Sequence, residues 1–545
     1  MAEQEIKQEQ ILEQFSRLKT LLKVSIALSA EKNATNLLEM ILKEAKKIAI
    51  ADGGTLYTRT DDNKLKFEIM LNDTLKLHTG GTSGVPVILP PLSLYDENEE
   101  PNLDKVAVCA AIKAETINIP DAYEDTEFEF SGTQAFDRQS GYHSKSFLTV
   151  PMKNHDGEVI GVLQLINALD PITKKITTFG STEQELVESL ASQAAMSLVN
   201  QRLLDDQRHL FESLIELIAT AIDDKSPYTG GHCRRVSELT LMLADAVNNT
   251  NSGPLKDFTI TNEDYYELKV AGWLHDCGKI TTPEFVIDKS TKLETIFDRI
   301  HVIDTRFEIL KRDAEIALLR EQLNSDTDME ALETKLAKKF AELDEDRDFL
   351  HRCNQGGEFM SYEFKERVLH IAQHRLTMPN GKKEYLLSEE ELDSLNITKG
   401  TLNPAERKII NSHIDVTISM LENLPYPKYL QHVPEYAGGH HERMDGTGYP
   451  KGLTGDEMSL QARIMGVADI FEALTARDRP YKQPMPLSLA LTILGKEKQA
   501  NHIDPDLFDI FINQKVYLRY AKKFLLPQQI DELDVNKLPC YNSLL

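Results

Sequence analysis

Residues 181–226 contain neither glycine nor proline, and this stretch limits what the whole chain can fold into. Apolar residues recur along it at helical spacing: Leu186, Leu190, Ala194, Leu198, Leu203, Leu210, Leu214 and Leu217. Because such a pattern marks one face of a helix, residues 181–222 are predicted to form a connecting helix of roughly 60 Å. The alternative is a break near Asp205 that leaves two ordinary helices. A long connecting helix predicts a multidomain protein whose apolar stripe pairs with a second copy in a homodimer.

The composition indicates a globular protein of two or three domains, because 545 residues are too many for one ordinary domain. A net charge of −26 opposes binding to nucleic acid or anionic membranes, so no DNA partner is expected. No apolar run approaches the roughly 18 residues of a membrane span, and the first residues lack the features of a signal peptide. The five scattered cysteines fit a reducing compartment. A cytoplasmic protein is therefore expected.

Residues 15–180 combine helix, strand and turn signals. Apolar residues at helical spacing predict a helix over residues 15–50. Two apolar runs, 147–152 and 159–166, flank the dipeptide Asp156-Gly157 and predict a β-hairpin. These signals predict a mixed α/β domain.

The same region resembles GAF domains. The resemblance is carried by Asn118–Tyr123, Phe136-Asp137, Gly141-Tyr142 and the predicted hairpin ending at Asn167. It implies a mixed α/β fold with a small-molecule pocket. Members that bind cyclic nucleotides carry Asn-Lys before the Phe-Asp pair, where this chain has Gln134-Ala135. The domain is therefore expected to be either a small-molecule sensor or a ligand-free dimerisation module.

Two histidine-containing strings carry the chemistry of the C-terminal half. Residues 275–279 read His-Asp-Cys-Gly-Lys, and residues 440–450 begin with His-His and end with Gly-Tyr-Pro. Neutral imidazole and carboxylate bind first-row transition metals, and a lysine suits a phosphate. His232, His413 and Asp469 share helix faces with apolar residues, and a buried Asp469 is costly unless it is paired or bound to a metal. The pattern favours metal-dependent hydrolysis of a phosphoester.

These strings resemble the HD-GYP family of cyclic dinucleotide phosphodiesterases. The HD pair is matched by His275-Asp276 and the GYP by Gly448-Tyr449-Pro450. Further matches are Tyr228–His232, Arg235-Val236, Ala462–Ile464, Asp469, Ala473–Thr475 and Arg479–Lys482. The resemblance covers roughly residues 205–290 and 395–525. It implies an all-α HD-type phosphohydrolase domain at residues 223–525, followed by a C-terminal tail at 526–545.

The resemblance calls for one more ligand histidine between the two strings, and two candidates exist. His301 adjoins Ile300 and Ile303, which lie in a heptad seam, so its side chain is predicted to point outward. His413 follows a segment similar to the family's corresponding segment, and it is favoured. Residues at about 290–397 are then an insertion. Its two apolar stripes predict a helical hairpin that turns at residues 324–326, followed by a polar loop near residues 380–383.

The resemblance implies two divalent transition-metal ions bridged by Asp276. The other implied ligands are His232, His275 and Asp469 for one ion and His413, His440 and His441 for the second. Mixed imidazole and carboxylate ligation favours Fe or Mn over Zn. Some family members hold a third ion with a glutamate where this chain has Tyr228. A phenol is a poor substitute for a carboxylate, so two ions are expected.

The catalytic residues implied by the resemblance are Asp276, Lys279 and Arg443, with Arg443 alternatively pairing with a carboxylate. Residues implied to shape a substrate-binding loop are Gly446, Gly448, Tyr449 and Pro450. The implied reaction is hydrolysis of a cyclic dinucleotide to the linear dinucleotide, regulated by the GAF domain. Cyclic di-GMP is the first candidate and 3′,3′-cyclic GMP-AMP the second. The alternatives are a general HD-type nucleotide phosphohydrolase and a catalytically inactive signalling protein.

Overall fold

The computed structural model describes residues 19, 22–31, 33–225, 230–324, 329–356, 359–378, 381–476 and 484–541. The chain divides into two compact units, Met1–Phe211 and Glu212–Leu545. The dividing point lies inside a single helix, α5 (Ser181–Asp223). The prediction of one long connecting helix is confirmed, and the alternative break near Asp205 does not occur.

An antiparallel sheet forms the centre of the first unit. Its strands are β1 (Ala51–Arg59), β2 (Lys64–Asn72), β3 (Leu77–Gly80), β4 (Leu92–Ser93), β5 (Ile117–Ile119), β6 (Phe147–Lys153), β7 (Val159–Leu169) and β8 (Ile176–Thr177). The order is β3-β2-β1-β7-β6-β5, with β4 on β2 and β8 on β7. Strands β6 and β7 pair with Phe147 opposite Ile166, which confirms the predicted hairpin.

Helices cover both faces of this sheet. They are α1 (22–30), α2 (Ala34–Ile48), α3 (Val106–Lys113), α4 (Ser131–Ser140) and the first turns of α5. Leu37 and Ile41 of α2 and Leu190 of α5 share one buried cluster with the sheet, and Val108 of α3 belongs to another. The mixed α/β prediction is confirmed. Among the described residues, the single helix predicted over residues 15–50 is wrong, because α1 ends at residue 30 and Asn33 caps α2 by accepting from Asn36 N.

The second unit is mostly helical, as predicted. Outside the insertion its helices are α6 (His232–Asn248), α7 (Asn262–Leu274), α8 (Glu284–Ile287), α13 (Pro404–Asn411), α14 (His413–Glu422), α15 (Val433–Gly438), α16 (Leu460–Thr475), α17 (Leu487–Gln499), α18 (Pro505–Asn513) and α19 (Val516–Phe524). Helix α6 packs against both α7 and α16. Its apolar face is fully buried at Val236, Leu239 and Leu243, which holds His232 inward on the same face.

The insertion has its own hydrophobic core. Its elements are α9 (Ile300–Asn324), α10 (Met329–Asn354), α11 (Tyr362–Ala372), β9 (Arg375–Thr377), β10 (Lys383–Tyr385) and α12 (Glu389–Leu395). Helices α9 and α10 pack together as the predicted hairpin, whose turn at 325–328 lies outside the described residues. The predicted polar loop lies between the two strands of a short ribbon, which was not predicted. Gly381 N donates to Met378 O at 2.8 Å where the chain passes from β9 to β10.

None of the helices among the described residues combines the length and the apolar character that crossing a membrane requires. All five cysteines are free; Cys109, Cys233, Cys277 and Cys353 are buried and Cys540 is exposed. The residues of the expected C-terminal tail pack onto the second unit. Gln529 Nε2, for example, donates to Thr475 O at 3.0 Å.

Candidate metal centre

The seven predicted metal ligands lie together in the second unit, six of them at or next to helix ends. They are His232 at the start of α6, His275 and Asp276 after α7, His413 at the start of α14, His440 and His441 after α15, and Asp469 within α16. Side chains at the ends of several helices can converge on one point from different directions, as metal binding requires. His301 lies elsewhere: its side chain is 77% exposed, and its Nδ1 is 3.8 Å from Asp304.

Asp276 joins two groups of potential ligands. Its Oδ2 lies 3.3 Å from His232 Nε2 and 3.2 Å from His275 Nε2, whereas its Oδ1 lies 3.3 Å from His413 Nε2. One group is His232, His275 and Asp276, and the other is Asp276, His413, His440 and His441. The ligand atoms within each group are all within 4.8 Å of one another. Asp469 Oδ1 adds to the first group at 3.3 Å from His232 Nε2.

Backbone carbonyls orient three of the imidazole rings. The Nδ1 atoms of His275, His413 and His440 donate to the carbonyls of Gly272 (2.8 Å), Ile410 (2.5 Å) and Ala437 (2.6 Å). A donating Nδ1 leaves the Nε2 lone pair free to bind a metal. These three buried Nε2 atoms and Asp276 Oδ1 have no hydrogen-bond partner among the described residues. Buried acceptors without donors are unfavourable unless a cation satisfies them, so the cluster fits divalent metal ions.

Glu472 orients a fourth ring, and sequence reasoning did not identify it. Its Oε2 is 2.5 Å from His232 Nδ1, and its Oε1 accepts from Arg235 Nε at 2.6 Å. The Glu472 side chain is 1% exposed. A carboxylate behind a ligand histidine fixes its ring and raises its basicity. The signal was present in the chain, because Glu472 lies one helical turn after Asp469 on the same face of α16.

The two groups differ in charge. Burial opposes a charged His275, but Asp276 beside it outweighs burial and raises its pKa to about 9. Burial also opposes a charged His232, and Glu472, Asp276 and Asp469 raise its pKa well above the usual value. In the other group, burial lowers the pKa of His441 to about 4 and that of His440 well below its usual value. At neutral pH and without metal, His440 and His441 are therefore neutral, whereas His232 and His275 carry protons.

Lys279 lies against the shared carboxylate. Its Nζ is 2.5 Å from Asp276 Oδ2, and although burial opposes the ammonium, Asp276 raises its pKa. The neighbouring thiols have little nucleophilic character, because burial raises the pKa of Cys277 to about 11 and also raises that of Cys233. Packing is therefore the role that the structure supports for these two cysteines.

Gly278 brings the turn that carries Lys279 against α14. A side chain at Gly278 would overlap the carbonyl oxygen of His413, and Gly278 N donates to Thr417 Oγ1 at 2.9 Å. Only glycine permits so close an approach of two backbones. The close contact sets the position of Asp276 relative to His413.

The loop after His441 is stabilised by close backbone packing at Gly448 and by hydrogen bonds from backbone N–H groups to Glu442. A Cβ atom at Gly448 would lie 2.5 Å from Arg443 N, so this glycine is required by loop packing rather than by a ligand. The buried carboxylate of Glu442 accepts from Lys451 N at 2.7 Å and Leu453 N at 2.9 Å. Glu442 is a second residue that sequence reasoning did not single out. It fixes the loop that follows His440 and His441.

The remaining predicted residues lie on or beside this loop. The Tyr449 ring stacks on His441, with centroids 4.8 Å apart, and the bond from Tyr449 to Pro450 is cis. Gly446 has a φ of 75°, which favours glycine. Arg443 Nε is 3.8 Å from Asp445 Oδ1, so it lies beside a carboxylate of the loop. Tyr228 and the Arg479–Lys482 string lie outside the described residues.

Comparison with family models divides the chain in the same way as the structure. A model described as "GAF domain" matches residues 33–198. Two models described as "HD domain" match residues 229–400 and 390–507. The three matches cover the sheet unit and the helical unit that contains the cluster.

Several curated proteins are similar to part of this chain. The "3'3'-cGAMP-specific phosphodiesterase 3" of Vibrio cholerae is 45% identical over 109 residues, covering 20% of this chain and 23% of the relative. The "Cyclic di-GMP phosphodiesterase" of Thermotoga maritima is 41% identical, covering 18% and 26%. The "Cyclic di-GMP phosphodiesterase response regulator RpfG" of Xanthomonas campestris is 29% identical, covering 34% and 53%. The chain spans about a quarter of the length of the first two relatives and about half of the third.

Proposed function

This chain contains a GAF domain and an HD domain, and we propose that it hydrolyses cyclic dinucleotides with two divalent metal ions. The observation that carries the proposal is the position of Asp276. Its two oxygens face different sets of histidines, which is the arrangement of a carboxylate that bridges two ions. A pair of ions about 3.5–4 Å apart suits the hydrolysis of phosphodiesters.

The ligands are assigned to the two ions by the two groups that share Asp276, with Asp469 added to the first. The first ion takes His232, His275 and Asp469, and the second takes His413, His440 and His441. Iron or manganese suits this mixed set of imidazole and carboxylate ligands better than zinc. When bound, the ions neutralise the phosphodiester and activate a water molecule. Two ions are proposed because only seven ligand-type side chains converge among the described residues.

The chain itself binds and orients the substrate. Lys279, whose Nζ lies beside Asp276, would stabilise the negative charge of a phosphate oxygen. Burial raises the pKa of Tyr449 to about 12, so its hydroxyl stays protonated and can donate to a phosphate or a base. Gly446 and Pro450 shape the same loop. Arg443 lies beside Asp445 in this loop. It would have to move away from Asp445 to contact a bound substrate.

The names of similar proteins support cyclic di-GMP and 3′,3′-cyclic GMP-AMP as candidate substrates. Cyclic di-GMP is proposed as the first. A panel of both cyclic dinucleotides, their linear products, mononucleotides and guanosine tetraphosphate separates this proposal from a general nucleotide phosphohydrolase. Selective turnover of a cyclic dinucleotide supports the proposal, and turnover of mononucleotides alone contradicts it.

The decisive experiment compares His413→Ala with His301→Ala. Both variants remove one histidine, but His413 lies in the cluster and His301 lies on the surface. We expect His413→Ala to lose one metal ion per chain and hydrolysis, and His301→Ala to keep both. Elemental analysis gives the metal content, and chromatography of the products gives the rate. Full metal content without turnover of any cyclic dinucleotide would favour the inactive signalling protein.

The proposal includes regulation of hydrolysis by the GAF domain and assembly of the chain into a homodimer. A small molecule bound by the GAF domain, or dimerisation alone, would control hydrolysis through α5. Asp137 itself is satisfied inside the first unit, since it accepts from Tyr123 OH at 2.8 Å and Ser144 N at 2.7 Å. A ligand would therefore be recognised by other residues. The five free cysteines fit the proposed cytoplasmic location.

A further inference from the structure

The C-terminal end of α5 holds two segments of the metal cluster at once. Helix α5 ends at Asp223, and Lys225 follows two residues later. Asp223, Lys225, His232, Asp276 and Lys279 line one small cavity. The end of α5 is therefore next to residues proposed to bind metal and phosphate.

Lys225 caps the turn that carries Lys279. Its Nζ donates to Lys279 O at 3.1 Å, to Ile280 O and to Thr282 O at 2.7 Å. An ammonium has three protons, and here all three go to carbonyls of one short segment. That segment is the 3₁₀ turn Cys277–Thr281 and its cap, which directly follow Asp276. Lys279 O also accepts from Thr282 N at 3.0 Å, and a carbonyl oxygen can accept two hydrogen bonds, so the cation reinforces the end of this turn.

Asp223 makes the matching contact on the other side. Its two carboxylate oxygens each lie 3.3 Å from Cys233 N, in the first turn of α6 next to His232. Asp223 is 5% exposed. A carboxylate at a helix N-terminus is favourable because it meets unpaired N–H groups. The last turns of α5 are themselves anchored, since Ile215, Ala219 and Ile222 are each at most 6% exposed.

We propose that Lys225 and Asp223 are positioning residues that couple the end of α5 to the metal cluster. Lys225 fixes the turn bearing Asp276 and Lys279, and Asp223 fixes the start of α6 bearing His232. A rotation or shift at the end of α5 would therefore move Lys279 and two proposed ligands relative to His413, His440 and His441. The inference rests on the proposed function only for its effect on hydrolysis, because its effect on metal binding is measurable separately.

The test compares Lys225→Met with Asp224→Asn. Methionine keeps the length of the lysine side chain but donates no hydrogen bond. Asp224 is exposed and adjacent, so its variant changes a charge at the same helix end without changing these contacts. We expect Lys225→Met to weaken metal binding about 10- to 100-fold, the usual effect of losing support behind a ligand. The electron paramagnetic resonance spectrum of the Mn²⁺-loaded protein should change as well, while Asp224→Asn matches wild type in both.

Lys225→Arg keeps a cation but presents its donors in a rigid fork. We expect it to retain the wild-type melting temperature and an intermediate metal affinity, which tests the inference even if Lys225→Met does not fold. Wild-type metal affinity and an unchanged spectrum in every folded Lys225 variant would overturn the inference. If wild type binds two ions but hydrolyses no cyclic dinucleotide, the proposed function is wrong. The metal affinities of wild type and the Lys225 variants still test the positioning role in that case. If wild type is active, kcat should fall with metal affinity in Lys225→Met and KM should change less.

Discussion

The carboxylate of Glu472 joins His232 to Arg235 and leaves neither group unpaired in a buried site. We expect Glu472→Ala to weaken metal binding about 10- to 100-fold, because His232 would lose the partner that fixes its ring. A competition titration with a chromophoric chelator measures this change. Glu497→Ala is the matched control, since Glu497 bonds His502 Nδ1 at 2.7 Å outside the cluster. Equal affinities in the two variants would contradict the proposed role of Glu472.

The different charges of the two histidine groups predict two metal affinities with different pH dependence. A bound ion needs neutral imidazole, so His275, with a pKa of about 9 without metal, must release its proton. Because His232, whose pKa is also raised, must release a proton as well, affinity for the first ion should rise by more than tenfold per pH unit as pH approaches 9. The second ion meets His441 already neutral above a pKa of about 4, so its affinity should change far less between pH 6 and 9.

Calorimetry in buffers of different ionisation enthalpy counts the protons that each ion releases. His301→Ala should leave both profiles unchanged, since His301 lies on the surface. Two ions with the same pH dependence would show that the two groups do not carry different charges.

At the residue scale, the sequence predicts side chains that share an apolar face with core residues. His232, His413 and Asp469 are of this kind, and the structure brings all three into the cluster. Glu472 and Glu442 were missed because glutamates are usually exposed. Glu442 accepts from backbone groups of the loop that follows it, whereas His232 and Arg235, the partners of Glu472, are also distant in sequence. Lys225 was missed for the same reason, since its partners follow it by 54 to 57 positions. Contacts of that kind depend on the fold rather than on local spacing.

At the element scale, the insertion can be deleted as one unit. Its core, from Leu293 to Leu395, is self-contained. Its two ends meet where Thr401 Oγ1 donates to Lys289 O at 3.0 Å and Lys289 pairs with the buried Glu406 at 2.7 Å. A linker of a few residues can therefore replace residues 292–398 and leave this junction intact.

We expect the shortened protein to bind the same number of metal ions and to show altered KM or base preference. The reason is that the insertion supplies none of the seven converging ligand-type residues but begins and ends near them. Elemental analysis and kinetics on both cyclic dinucleotides measure the two effects. A Lys289→Met variant of the full chain is a useful comparison, because it breaks the junction without removing the insertion. A folded deletion protein without metal would show that the insertion supplies a ligand.

Long, strongly periodic elements were predicted correctly, and short irregular ones were not. Helix α5 and the α9–α10 hairpin follow from apolar residues repeated over several turns. The ribbon of β9 and β10 has three residues in each strand, so it has no comparable repeat. The break before α2 depends on one side chain, that of Asn33. A local cap of this kind competes with a longer helical pattern, and here the cap prevails.

At the scale of the whole molecule, the exposed stripe of α5 predicts a homodimer. Leu203, Leu210 and Leu217 repeat every seven residues and are 57%, 63% and 65% exposed. That spacing suits pairing with an identical helix. We expect Leu203→Glu combined with Leu210→Glu to halve the mass measured by light scattering at micromolar concentration. Asp205→Ala combined with Asp206→Ala, between the same positions, should remain dimeric, and a monomeric wild type would refute the prediction.

Both domain families could be predicted from the sequence because their strings retain the family order. The GAF-like strings lie within residues 118–167 and the HD-like strings within residues 228–482. The division between the units could not be placed in this way. It falls inside α5, between Phe211 and Glu212, where the helical pattern continues without a glycine or proline.

The shared position of Asp276 has a thermodynamic consequence for loading. One carboxylate cannot be oriented for the first ion without also being oriented for the second, so the two binding equilibria are linked. The linkage is reciprocal: whatever the first ion adds to the affinity of the second, the second adds to the affinity of the first. The proposed two-ion site therefore predicts that removing a ligand of one ion, as in His413→Ala, also changes the affinity of the ion that remains.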